Sequence, residues 1–187
     1  MIEKRSVQED GTLLLRGMID IEEYDENNGL IKKIIISSSV QTIGRHAFRV
    51  CSNLKEILFE EPCQIIKLEE GCFVNCSNLK KIDLPSSIEE IDINSFNSCP
   101  LERVILRGPC YIGKESFRIN DLTYLHIADS IQKLDKDAFY GFSYYYFSKT
   151  PCKIYIREEF HEDIKRMFQG RDIEFIGNEL DNGYVLK

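Results

Sequence analysis

The chain has 187 residues, 43% apolar and 29% charged, which suffices for one full-sized domain with its own core. A net charge of −7 argues against a nucleic-acid binder, which needs a dominant positive field. No window approaches 18 uncharged apolar residues, so no membrane-spanning helix is expected.

The first segment, residues 1–29, begins "MIEKRSVQEDGTLLLRG". It has charges but no apolar run before a small-residue cleavage site, so it does not read as a signal peptide. That favours a cytoplasmic protein; a surface or secreted protein whose signal has been removed is the alternative. Leu13, Leu15, Ile19 and Ile21 alternate as in a β-hairpin, and turn-prone Asn27-Asn28-Gly29 follows. We read this segment as an N-terminal cap.

Residues 30–157 are a repeat. Phe48, Phe73, Phe96, Phe117 and Phe139 are spaced by 25, 23, 21 and 22 residues. Five residues before each stands Ile43, Leu68, Ile91, Ile112 or Leu134, and immediately before each a small residue: Ala47, Cys72, Ser95, Ser116 or Ala138. Leu54, Leu79, Leu101 and Leu122 follow, each leading into an alternating pair: Ile57/Phe59, Ile82/Leu84, Val104/Leu106 and Leu125/Ile127. Such alternation is that of a strand with one buried face. Each unit is too short to close a core alone, so the units must stack into a parallel sheet with the phenylalanines behind it. Ile31, Ile34 and Ile36 supply an earlier unit, and Ile154 with Ile156 a final strand. The expected fold is an α/β-type leucine-rich-repeat solenoid with its parallel sheet on the concave face.

Residues 158–187 form the closing cap and tail. Phe160, Ile164, Met167 and Phe168 recur at helical spacing, which predicts an amphipathic helix over about 158–169 ending near Gly170. The run "FSYYYF" (142–147) packs beneath this cap or offers an exposed aromatic patch. No linker divides the chain, so a single, monomeric domain is expected.

"SSSVQTIGRHAFRVCSNLKEILF" and "PSSIEEIDINSFNSCPLERVIL" resemble repeats of the BspA-like leucine-rich-repeat family, whose unit runs I-P-x-S-V-x-x-I-G-x-x-A-F-x-x-C-x-x-L. The N-terminal "GTLLLRGMIDIEEY" and C-terminal "IYIREEFHEDIKRMFQGRDIEFIG" are similar to the ends of that family. The resemblance covers nearly the whole chain. It implies protein binding and, in many members, adhesion at cell surfaces, but no particular chemistry.

Seven cysteines cannot all pair within one chain. Cys51, Cys76 and Cys99 share one column, three residues after the Phe, where the next unit has Asn120; Cys72 takes the small-residue slot. Cys63, Cys110 and Cys152 each follow a proline. Buried packing is the expected role. A disulfide between Cys51 and Cys76, or Cys76 and Cys99, stays open, because stacked strands lie about 4.8 Å apart. Cys72-x3-Cys76 has no His nearby, so no metal or cofactor is expected.

No Ser-His-Asp, H-E-x-x-H, P-loop or G-x-G-x-x-G pattern is present, and we expect no enzyme. His46 belongs on a convex turn, His126 on the outward strand face and His161 on the capping helix. A protein partner is expected on the concave face. The outward strand columns there carry Lys33 and Ile35, Leu58, Lys81 and Asp83, Arg103 and Ile105, Tyr124 and His126, and Tyr155, with Lys55 beside them. Basic side chains thus flank an apolar stripe, a pattern typical of interaction surfaces.

Overall fold

The computed structural model describes residues 7–16, 26–118, 122–139 and 151–177. Ile19 and Ile21, Asn120 and the aromatic run 142–147 lie outside them. The described chain winds as a parallel β-solenoid in which most turns contribute one four-residue strand and one two-residue strand. It begins with β1 (Thr12–Leu15), followed by β2 (Lys33–Ile36) with β3 (Thr42–Ile43). Next come β4 (Glu56–Phe59) with β5 (Lys67–Leu68), and β6 (Lys81–Leu84) with β7 (Glu90–Ile91). β8 (Arg103–Leu106) with β9 (Tyr111–Ile112), and β10 (Tyr124–Ile127) with β11 (Lys133–Leu134), complete the regular turns. The close is β12 (Cys152–Tyr155), helix α1 (His161–Met167) and β13 (Ile173–Phe175).

Residues 12–15 answer to the expected N-terminal hairpin only in part. Val7 bridges antiparallel to Leu13, but β1 itself pairs parallel to β2, Thr12 opposite Lys33 through Leu15 opposite Ile36. Residues 12–15 are therefore the first rung of the sheet.

Alternation decides the core. Ile34 and Ile36, Ile82 and Leu84, Val104 and Leu106, and Leu125 and Ile127 all point inward and are buried. Behind them the five phenylalanines stack face to face at 5.3, 5.3, 5.3 and 5.4 Å between ring centres. Phe168, just past α1, continues this column at 5.7 Å, tilted by 44°. The cap thus ends the ladder with a sixth ring rather than with solvent.

The turns around Phe48, Phe73, Phe96 and Phe117 use left-handed residues. His46, Gly71, Asn94 and Glu115, two before the Phe, have φ of 55, 59, 60 and 52°. Val50, Asn75 and Ser98, two after it, have φ of 59, 61 and 61°. At Gly71 a Cβ would meet the His46 ring at 2.5 Å, so any side chain there would have to displace that ring.

All seven cysteines are free thiols. The Cys76 thiol donates to the Phe48 carbonyl at 3.3 Å, and the Cys99 thiol to the Phe73 carbonyl at 3.0 Å. The cysteine column therefore satisfies the carbonyl of the preceding turn's phenylalanine. Cys72 is fully buried in the slot that Ala47 and Ala138 fill elsewhere, and burial pushes its thiol pKa well up.

Candidate functional site

The four-residue strands carry the candidate surface. Pairing places β2 beside β4 and, in a second sheet, β6 beside β8, β10, β12 and β13. Register then aligns Lys33 with Glu56, Ile35 with Leu58, Asp83 with Ile105 and His126, and His126 with Tyr155. The expected outward columns therefore exist as columns.

Their exposure differs from expectation. Leu58 is 40% exposed, and Lys55 and Lys81 are exposed; Lys33, Ile35, Asp83, Arg103 and Tyr155 are half-buried. Ile105, Tyr124 and His126 are buried, at 0, 7 and 3%. The apolar stripe is consequently not continuous. The reason lies in neighbouring turns: the Arg103 guanidinium lies 3.7 Å above the Tyr124 ring, and His126 stacks on Tyr155 at 4.6 Å. Tyr155 in turn donates its hydroxyl to the Asp129 carboxylate at 2.9 Å. Arg107 donates two hydrogen bonds to Asp83, which stands beside Ile105.

The basic column is partly spent within the fold as well. Lys33 bridges Glu56 at 3.0 Å, and Lys80 bridges Glu102 at 2.6 Å. On the two-residue strands, Lys67 bridges Glu90 at 3.0 Å, a contact that raises the lysine pKa. Opposite charges on adjacent rungs thus pair across the register.

One feature of this face was not legible in the residues: the sheet is broken. β4 and β6 are not paired, although each of the other neighbouring four-residue strands is. Ser37, Glu60, Arg107 and Ala128, the first residues after their strands, each donate an N–H to the preceding turn. Pro85 occupies that place after β6 and has no N–H to give. The connection after β4 is also the longest of its kind, seven residues (60–66) against four or five elsewhere. Between the two strands opens a cavity of about 390 Å³ with Leu58, Asp83 and Ile105 among its walls.

His161, Glu69 and Glu70 each have partners within the fold. His161 stacks on Phe175 at 3.6 Å, and its Nε2 lies 3.1 Å from the Ile156 carbonyl. Glu70 bridges Arg45 at 3.1 Å, and Glu69 accepts the Arg45 backbone N–H. Among the described residues no three His, Cys, Asp or Glu side chains gather where they can hold a metal ion, and no helix is long and apolar enough to cross a membrane.

The sequence pattern described as BspA type leucine rich repeat region (6 copies) matches residues 19–146. The chain belongs to that family. In structure it is similar to the pneumococcal vaccine antigen PcpA, with a TM-score of 0.56 and 19% identity over 83% of this chain and 48% of that one. It is also similar to a leucine-rich repeat protein from Bacteroides ovatus, with a TM-score of 0.52 and 18% identity over 92% of this chain and 39% of that one. The chain thus spans less than half the length of either, and the likeness is one of fold. No curated protein matches it. This BspA-type repeat chain therefore carries a known scaffold.

Proposed function

We propose that the chain is a non-enzymatic binding module that recognises a protein partner through its concave face. The observation that carries this reading is Leu58. It is a large apolar side chain left 40% exposed within a strand, and it lines the cavity together with Lys81; Lys55, just before the strand, is also exposed. An apolar centre with a charged rim is the composition of an interaction surface. The contact region centres on Leu58, Ile35, Lys55 and Lys81; Ile105, Tyr124 and His126 shape it from beneath.

The test compares wild type with Leu58→Glu as immobilised bait in extracts of the source cells. A protein retained by wild type and lost by the variant, at unchanged melting temperature, supports the reading. Equal capture of the same proteins by both overturns it.

A further inference from the structure

The cavity between β4 and β6 offers more than a general contact surface. The solenoid is closed on both sides of it. Before the gap, the Phe48 and Phe73 rings stack at 5.3 Å; after it, β5 and β7 pair in register, Lys67 opposite Glu90 and Leu68 opposite Ile91. The turns are therefore not far enough apart to admit a whole extra strand, which needs about 4.8 Å on each side. At about 390 Å³ the opening fits a large side chain and the group beside it.

The walls are apolar and the rim is charged, but the charges are not equally committed. The three acids of the rim each have a partner in the fold. Glu56 is held by Lys33 at 3.0 Å and Asp83 by Arg107 at 2.6 Å, while Glu61 accepts the Cys63 backbone N–H at 3.0 Å. The three bases are not matched in the same way. Arg107 is engaged by Asp83, whereas Lys81 and Arg103 have no carboxylate partner among the described residues. Arg103 rests on the Tyr124 ring with its Nε buried and without an acceptor. Glu61, too, has only that neutral N–H, so the rim holds two cations without a carboxylate, Lys81 and Arg103, the latter resting on an aromatic ring, against one acid without a cation.

We propose that this slot receives an apolar side chain, aromatic in size, from an acidic partner segment, while Lys81 and Arg103 take the carboxylate next to it. Arg103 supplies a planar donor set suited to a carboxylate, and Lys81 a mobile point charge at the mouth. Leu58 and Ile105 supply the contact for the ring. This deepens the concave-face reading and rests on it.

The probe is the peptide acetyl-Glu-Phe-Glu-amide, compared with acetyl-Lys-Phe-Lys-amide and acetyl-Glu-Ala-Glu-amide, titrated into the full chain and followed by amide resonance shifts. Shifts from the acidic aromatic peptide centred on residues 56–61, 81–85 and 103–107 are expected. Affinity should be about tenfold tighter than for the lysine peptide. The alanine peptide should bind more weakly than its aromatic counterpart. Lys81→Gln, on an exposed side chain that leaves folding intact, should weaken the acidic peptide several-fold; Arg103→Gln provides the second reading. Absence of shifts at millimolar peptide, equal binding of acidic and basic peptides, or shifts centred elsewhere overturns the proposal. Loss of partner capture by Leu58→Glu together with any of those outcomes leaves the concave-face reading standing and removes only the acidic slot.

Discussion

Arg107 grips Asp83 from one turn away, Nε to Oδ1 at 2.6 Å and Nη2 to Oδ2 at 2.8 Å. The two-point contact beside the broken sheet ties β6 to the residue after β8. Its hydrogen bond to Asp83 raises the arginine pKa. Because both side chains are partly exposed, 41 and 30%, solvent screens much of the attraction. A double-mutant cycle of Arg107→Gln and Asp83→Asn, measured by urea unfolding, should give a coupling of about 0.5–1 kcal/mol that shrinks at high salt. A coupling of zero would show that the pair is ornamental.

The phenylalanine ladder should dominate stability. Phe96 is fully buried between two rings at 5.3 Å, whereas Phe59 is only partly buried where it borders the cavity. Phe96→Ala should cost about 3–5 kcal/mol. Phe59→Ala should cost clearly less in the same denaturation series, and equal losses would contradict this ranking of the two sites.

Val50 stands in the left-handed region at φ 59°, in a column where, among the described residues, Asn75 and Ser98 adopt the same conformation. A β-branched residue is strained there, and the left-handed conformation costs L residues about 1–2 kcal/mol. Val50→Asn should therefore raise the melting temperature, by an amount equivalent to about 1 kcal/mol. A fall would mean that the half-buried valine methyls contribute more packing than the turn loses in strain.

Burial pushes the thiols of Cys110 and Cys152 up to about 11, and that of Cys72 higher still. Unfolded thiols ionise near about 8.5. Between that value and the folded pKa the unfolded chain binds fewer protons, so stability must fall as pH rises. The melting temperature should drop from about pH 8 to about pH 10. Cys72→Ala, which places an alanine where Ala47 and Ala138 already sit, should flatten the slope. If the variant and wild type lose stability in parallel, thiol ionisation is not the cause.

Thiol accessibility offers an independent check on the cysteine column. Cys63 is half-buried and the other six cysteines are buried. A thiol reagent at neutral pH should modify Cys63 quickly and the rest slowly. All seven should react once the chain is unfolded without reductant. Fewer than seven would point to a disulfide, with Cys51–Cys76 and Cys76–Cys99 the pairs to test.

The periodic columns made most of this fold readable. Phe48 to Phe139, the small residues before them and the inward strand pairs occupy the places their spacing requires, since a solenoid repeats one packing environment per turn. The exception is Phe59 of the Ile57/Phe59 pair, which is only partly buried. The capping helix was legible from Ile164 and Met167, both buried, for the same reason. The candidate site was legible only as a set of columns. Strand alternation says that Ile105, Tyr124 and His126 point outward, but their burial depends on where Arg103 and Tyr155, about 20–30 residues away in sequence, lay their side chains.

The sequence by itself determined the repeat, the core and the family, because each follows from apolar residues recurring at a fixed period. Only the tertiary structure decided which outward residues stay exposed and where the sheet opens. Those outcomes depend on contacts between turns: a proline without an N–H at Pro85, a seven-residue connection after β4, and arginines that fold over one neighbour rather than another. Periodicity describes what the turns share. Leu58 and the gap beside it arise where two adjacent turns differ.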